Sequence, residues 1–309
     1  MTARLPAKLS PMLAKSSTPF DSSAHLFEIK WDGTRALAFI ENRQLRLRNR
    51  RHAVLDDRYP EFEFLARLPS GTVLDGEVVV LRGGRPQFTR LLAREQTRSQ
   101  RRIAALARAE PATYVVFDQL YERGRAIIDA PLIERRRVLA ETVKRCESPR
   151  LLFSDGVIET GCEYFAAACK QELEGVMAKR LDSRYVPGKR SAAWLKIKRV
   201  QRLVAVIIGF LAQGESDLRS LLLATSEDGK LRYAGKVGSG LGAELRTELL
   251  EMLRSRPRPR CIIPVDARAL RERPRWVEPE LYCTVNYLER TAQGELRGPS
   301  FGELLRAEG

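Results

Sequence analysis

The sequence predicts an α+β chain in two parts, a mixed region of strands and helices over residues 1–199 and a small β-barrel over residues 200–309. Up to Arg199, apolar strand-like runs alternate with stretches of helical spacing. Beyond Arg202 the pattern turns to short strands, Leu203–Leu211, Leu218–Ala224 and Leu231–Val237. A helix over roughly Leu241–Leu253 and a strand Leu281–Leu288 complete it. About five strands with one helix is the pattern of an OB-fold. Arg199–Arg202 reads as a short hinge or linker. A length of 309 residues suits roughly two domains, and a hydrophobic content of 44% is enough for packed cores.

The formal net charge of +15 favours a polyanionic partner, nucleic acid first. The five cysteines are scattered, with no C-x-x-C pair, and the two histidines are too few for the usual zinc site. Reduced, structural cysteines and a cytoplasmic setting are expected. The N-terminus has no apolar segment of signal-peptide type, and the longest apolar run, Leu203–Ala212, is too short to span a membrane.

Residues 1–25 read as an irregular, Pro- and Ser-rich lead-in. Glu28-Ile29-Lys30-Trp31-Asp32-Gly33-Thr34-Arg35 then sits between strand-like flanks. A lysine leaning into an apolar strand is costly to keep charged, so its pKa is expected to fall and make it a nucleophile. Gly33 would allow a tight turn and a close ligand. Arg35 would offer a fork of donors to phosphate or ribose oxygens. The bland alternative is a surface hairpin with a Lys30–Asp32 pair.

Alternation in Leu45-Arg46-Leu47-Arg48 puts the leucines on one face and Arg46 and Arg48 on the other, so Arg48 could face the Lys30 cleft. Tyr59-Pro60 opens a helix-like stretch through Leu68. Thr72–Leu81 is a buried strand interrupted by Asp75-Gly76-Glu77, whose carboxylates need a ribose hydroxyl, a metal or a basic partner. Residues 86–110 have helical spacing and an arginine-rich, solvated face.

Phe117, on the strand Tyr114–Asp118, is either core or a platform for a base, and Pro131 opens an amphipathic helix. Glu174, beside Gly175 and ahead of a strand, can hold Mg²⁺ through water. In Trp194-Leu195-Lys196-Ile197-Lys198 the two lysines share a face and need an anion between them, such as a triphosphate.

Taken in order, these motifs resemble the ATP-dependent DNA ligases of the covalent nucleotidyltransferase superfamily. The match covers K-x-D-G-x-R at Lys30–Arg35, the arginine after a strand at Arg48 and D-G-E at Asp75–Glu77. It continues through the aromatic before Asp118, E-G-V-M-A-K at Glu174–Lys179 and W-L-K-I-K at Trp194–Lys198. The last two are worded most like the bacterial ligases linked to double-strand-break end joining. The resemblance implies a nucleotidyltransferase (adenylation) domain of antiparallel sheets with helices over 1–199, then an OB-fold domain over 200–309.

It implies that Lys30 attacks the α-phosphate of ATP, with Asp32, Lys196 and Lys198 completing the catalytic set. Glu28, Ile29 and Phe117 would face or stack on adenine. Arg35, Arg48 and Glu77 would hold ribose and phosphate, with Lys179, Lys196 and Lys198 also binding nucleotide. Glu174 and Glu77 would hold Mg²⁺ or Mn²⁺. AMP would pass to a DNA 5′-phosphate, and the adjoining 3′-hydroxyl would displace it. The barrel would close over ATP and reopen onto DNA.

The implied partner is duplex DNA with nicks or ends, with a DNA-end-binding repair protein to recruit a monomeric, nucleoid-associated enzyme. With no separate N-terminal DNA-binding domain in view, a minimal two-domain enzyme is implied. Two departures stand out. The family's terminal R-x-D-K-like motif is represented only by Arg306, and Arg50 replaces a frequent glycine after Asn49. The competing readings are an RNA-directed relative, a capping guanylyltransferase or RNA ligase, and a catalytically weak basic protein that holds DNA breaks.

Overall fold

Strand alternation decides the architecture of the first part. In the strand Thr34–Glu41, Leu37 and Phe39 join one core cluster and Ala36, Ala38 and Ile40 another. A strand that is apolar on both sides must be covered on both. The computed structural model describes residues 5–305 apart from 215–216, 228, 267–269, 271 and 292. It divides the chain into two compact units, Met1–Arg199 and Val200–Gly309.

In the first unit one sheet runs in the order Gln44–Asn49, Thr34–Glu41, Thr72–Arg82, Ala112–Glu122, Arg125–Ala126. The other runs Leu13–Ser16, Arg190–Lys198, Gly175–Arg180, Ser22–Ile29, Gly156–Glu159. Leu37, Phe39, Val73 and Phe117 of the first sheet meet Met177 and Trp194 of the second in a shared core. The far face of the first sheet is covered by Phe62, Leu65, Leu91 and Leu139. That of the second is covered by Ala168, on the helix Gly161–Lys170.

Several expectations are corrected. Most strand pairs are antiparallel, but Leu13–Ser16 runs parallel to Arg190–Lys198, and Leu151–Phe153 parallel to Ala112–Glu122. The lead-in therefore supplies an edge strand. The Tyr59–Leu68 stretch is a 3₁₀ helix, Pro60–Arg67. Residues 86–110 hold two helices, Phe88–Gln96 and Gln100–Ala109, the second N-capped by Ser99.

Their face is not wholly solvated. Arg94 is buried, donating to Arg58 O at 3.1 Å and Glu61 Oε2 at 2.5 Å. Asp75-Gly76 is no turn: it lies inside Thr72–Arg82, at a register shift against Ala112–Glu122. A Cβ on Gly76 would lie 2.5 Å from Val115 O, so the close neighbouring strand is what requires glycine.

In the second unit the strands run Lys230–Val237, Asp217–Glu227, Gln201–Gln213, Tyr282–Tyr287, Ser300–Leu305, each antiparallel to its neighbour. A parallel bridge between Ser239 and Ser300 joins the two ends of this order into a barrel. The helix Ala243–Arg254 follows the third strand in the chain, and its Leu249, Leu250 and Leu253 enter the barrel core. This is the OB-fold arrangement. Ser300–Leu305, a strand the pattern did not reveal, carries only Phe301 as a deeply buried side chain. Arg306 lies outside the described residues.

Candidate active site

Lys30-Trp31-Asp32-Gly33 is where the chain leaves one sheet of the first unit for the other. It links Ser22–Ile29 to Thr34–Glu41, and Lys30 N donates to Gly175 O at 2.9 Å. A Cβ on Gly33 would lie 2.2 Å from Val78 O. The glycine is therefore needed for the approach of the strand Thr72–Arg82.

The crossing opens a cavity of about 270 Å³ between the sheets. One sheet contributes Glu28, Ile29, Met177, Lys179, Trp194, Lys196 and Lys198, the other Arg35, Glu77 and Phe117, and Lys30 lies between them. Lys196 and Lys198 share the cavity face, while Leu195 and Ile197 pack behind the sheet. Sequence alternation placed all four correctly. Asp32 and Arg48 do not line the cavity. Arg48 instead pairs with Asp56 Oδ1 at 2.6 Å and donates to Leu47 O at 2.8 Å.

Two carboxylates at the inner end are structural anchors. Asp75 is fully buried and takes Arg35 bidentately, at 2.9 Å from Nε and 2.6 Å from Nη2. Tyr185 Oη also donates to it, at 2.6 Å. Burial works against the Arg35 charge, but Asp75 outweighs it and holds the guanidinium more firmly protonated than usual. Arg35 lies over the Phe117 ring, 5.2 Å from its centroid.

Glu28 is equally buried, paired with Lys179 and, at 3.0 Å, with Arg136. Burial lowers the Lys179 ammonium pKa from its ordinary value, only partly offset by Glu28. Lys179 Nζ sits 4.0 Å from the Phe117 centroid. The aromatic and buried polar groups thus form a closed end suited to a flat base, with Phe117 and Trp194 edge-to-face at 6.1 Å.

The outer end is cationic and organised by one carboxylate. Glu174 accepts from Lys30 Nζ at 2.5 Å and pairs with Lys198 Nζ at 2.7 Å. Burial would raise the Glu174 carboxyl, but Lys30 and Lys198 outweigh it and hold it below its ordinary range. The anion between Lys30 and Lys198 is therefore part of the protein, and Lys196 is not one of its ion-pair partners.

Lys196 has its pKa lowered, by burial and then by Lys198, Arg190 and Lys30. Glu77 is pushed up to about 8 by burial, against the pull of Lys30 and Arg35. A carboxyl held that high lacks compensating charge, and a divalent cation is one group that would supply it. Among the described residues no three of His, Cys, Asp and Glu gather as a preformed metal cluster. Glu77 lines the cavity, whereas Glu174 lies behind Lys30 and Lys198, so a cation held by the two would take most of its oxygens from water and phosphate.

Residues 11–198 match the family described as ATP dependent DNA ligase domain, and residues 214–307 its C-terminal region. The chain belongs to the ATP-dependent DNA ligases. It is 36% identical over 307 residues to the multifunctional non-homologous end joining DNA repair protein LigD of Mycobacterium tuberculosis, covering 95% of this chain and 38% of that protein. It is 35% identical to LigD of Pseudomonas aeruginosa, across 35% of that protein's length. The chain thus spans well under half of these relatives. The SPbeta prophage-derived DNA ligase-like protein LigB of Bacillus subtilis matches at 29% identity over 97% of its own length.

Among solved structures, the ligase domain of M. tuberculosis LigD matches with a TM-score of 0.57 at 35% identity, covering 96% of this chain and 95% of that one. A mycobacterial DNA ligase D complexed with ATP and MES matches with a TM-score of 0.56 at 34% identity, over 97% and 96% of the two chains. This ligase chain is therefore an ATP-dependent type, with a nucleotidyltransferase unit and an OB-fold unit.

Sequence reasoning missed several groups. Trp31, Arg50 and Arg190 line the cavity. Arg136, on the amphipathic helix that Pro131 opens, is buried and bonds Ser154 O at 2.7 Å as well as Glu28. Arg135 makes a fully buried bidentate pair with Asp118, both bonds 2.8 Å. The run Glu134-Arg135-Arg136-Arg137 carried the one available signal, since three adjacent arginines on a helix cannot all face water. Among the described residues no helix is long and apolar enough to cross a membrane, and all five cysteines are free.

Proposed function

We propose that this chain seals 5′-phosphate/3′-hydroxyl breaks in duplex DNA through a lysyl-AMP intermediate on Lys30. The observation that carries the reading is the meeting of Lys30, Lys196 and Lys198 at the open end of a cavity whose closed end is aromatic.

Adenine enters the closed end against Phe117, where it takes the place of the Lys179 ammonium over the ring, and Arg35, fixed by Asp75, meets the ribose. The α-phosphate then lies among the lysines. Lys30 leaves Glu174, gives its proton to solvent and forms the N–P bond as the bond to pyrophosphate breaks. Lys196 and Lys198 neutralise the phosphate oxygens as charge develops on them. In the second step an oxygen of the DNA 5′-phosphate takes AMP from Lys30. In the third the 3′-hydroxyl attacks that 5′-phosphorus and AMP leaves. A divalent cation at Glu174 and Glu77 would supply further neutralisation of phosphate charge. Arg48, held by Asp56, must change partner to reach any of these groups. Asp32 acts from outside the cavity.

The net charge of +15 supports a phosphate-dominated, salt-sensitive grip on duplex DNA with little base readout. The named relatives suggest end joining as the setting, in the cytoplasm at the nucleoid. A monomer recruited by a DNA-end-binding protein fits that setting.

Incubation with α-labelled ATP and Mg²⁺ tests the core of the proposal. Wild type retains label and Lys30→Ala retains none. Label from GTP in place of ATP would move the chain to capping chemistry. Protein that takes no label yet seals one nick per molecule without ATP would have arrived adenylated. Failure of both assays would sink the ligase reading.

A further inference from the structure

We propose that Arg50 binds a substrate phosphate at the mouth of the cavity, a role that motif order alone would give to Arg48. The inference rests on the ligase reading above and adds a residue that departs from the family's usual glycine at this position.

Arg48 and Arg50 flank Asn49 at the end of the strand Gln44–Asn49, and they meet opposite fates. Arg48 is committed to Asp56 Oδ1 and Leu47 O. Arg50 lines the cavity, is exposed, and has no hydrogen-bond or ion-pair partner among the described residues. A guanidinium costs little to leave in water, but at the edge of a phosphate site it is a ready bidentate donor.

The turn that presents Arg50 is fixed. Asn49 Oδ1 accepts from Arg51 N and Ala53 N, both at 2.9 Å, and His52 N donates to Asn49 O at 2.9 Å. His52 takes the left-handed conformation, φ 61°, and its ring meets Ser10 Oγ at 3.0 Å. Arg50 itself is not in the left-handed region, so the backbone does not demand glycine there. An arginine at that point adds charge to the lip without strain. It stands with Lys196 and Lys198 around the same opening.

The anion is a phosphate, and two substrates bring one to this lip: the β- and γ-phosphates of ATP in the first step, and the DNA 5′-phosphate later. Two assays separate them. One is the rate and KM of lysyl-AMP formation from ATP. The other is sealing of a pre-adenylated nick without ATP. The variants are Arg50→Ala, Arg50→Gly and Arg50→Lys, with Arg51→Ala as an equal loss of charge one residue away.

Loss of one charge-assisted contact predicts a fall of about 10- to 100-fold for Arg50→Ala and Arg50→Gly in at least one assay. Arg50→Lys should recover part of it, and Arg51→Ala should change either rate by less than about 3-fold. A defect in the first assay assigns the ATP phosphates, and one in the second assigns the DNA phosphate. Equal rates for wild type and Arg50→Ala in both assays, or equal losses for Arg50→Ala and Arg51→Ala, would overturn the proposal. Lys30→Ala, run alongside, fails lysyl-AMP formation whatever Arg50 does, so failure of the ligase reading is distinguishable.

Discussion

The two units bury different chemistry. In the nucleotidyltransferase unit Glu28, Asp75, Arg94, Asp118, Arg135, Arg136 and Lys179 are all buried. Among the described residues of the OB-fold unit no charged side chain is, and its buried polar groups are Ser220, Thr225 and Thr284. Both units have apolar cores with large clusters of leucine and valine. Burying charge is costly, so its confinement to one unit marks where structure serves a task beyond folding. Glu28 and Lys179 line the cavity, Asp75 fixes Arg35, and Arg136 fixes Glu28. Among its described residues the barrel is built around apolar clusters.

The sharpest way to break this contrast is the buried pair Arg135–Asp118, in which both side chains are fully enclosed. Arg135→Ala leaves Asp118 uncompensated and should cost about 3–5 kcal/mol in urea unfolding. The double variant Arg135→Met/Asp118→Leu should recover most of that. If Arg135→Ala costs less than about 1 kcal/mol, the pair is not the structural element described here.

A smaller, pH-dependent difference separates the units. The Glu77 carboxyl is pushed up from 4.5 to about 8 in the folded protein. The folded state therefore binds the proton more tightly than the unfolded chain, and stability falls as pH rises from about 4.5 to about 8. Glu77→Gln should be more stable than wild type in the nucleotide-free state at pH 8, with the advantage shrinking toward pH 4.5 and flat above about 8. A pH-independent difference in unfolding midpoint would contradict this. Among the described residues of the barrel the shifted groups are the Cys261 thiol, raised by burial, and the Cys283 thiol and Tyr233 hydroxyl, both pushed up to about 12 by burial. All three shift away from neutrality, so they add no pH dependence there.

The smallest effect is expected at the exposed Arg202–Glu303 pair on the barrel, each side chain more than half exposed. Arg202→Ala should change the unfolding midpoint by less than about 1 kcal/mol in free energy, and added salt should remove what difference there is. A larger loss would mean that the barrel, too, depends on charge.

Much of the site was legible because its signals are local. Strand alternation put Lys196 and Lys198 on one face, and the K-x-D-G-x-R order marked Lys30 and Arg35. The D-G-E carboxylates were recognised as needing partners, but which partner each found was not readable. Asp75 took Arg35 and Tyr185, forty and more residues away in the chain, whereas Glu77 stayed at the cavity. Arg48 illustrates the limit from the other side. Its face was read correctly, yet Asp56, eight residues on, captured it and left the cavity to Arg50.

The sequence by itself determined the two-part architecture, the barrel with its helix, the crossing stretch that carries Lys30 and the faces of the strands, because periodicity and motif order act over a few residues. Only the tertiary structure decided which buried charges pair, that Glu174 holds Lys30, and that Gly33 lies close against Val78. Those outcomes depend on elements far apart in the chain arriving within a few ångströms of one another. The Coulomb and desolvation terms that choose between partners change steeply over that distance.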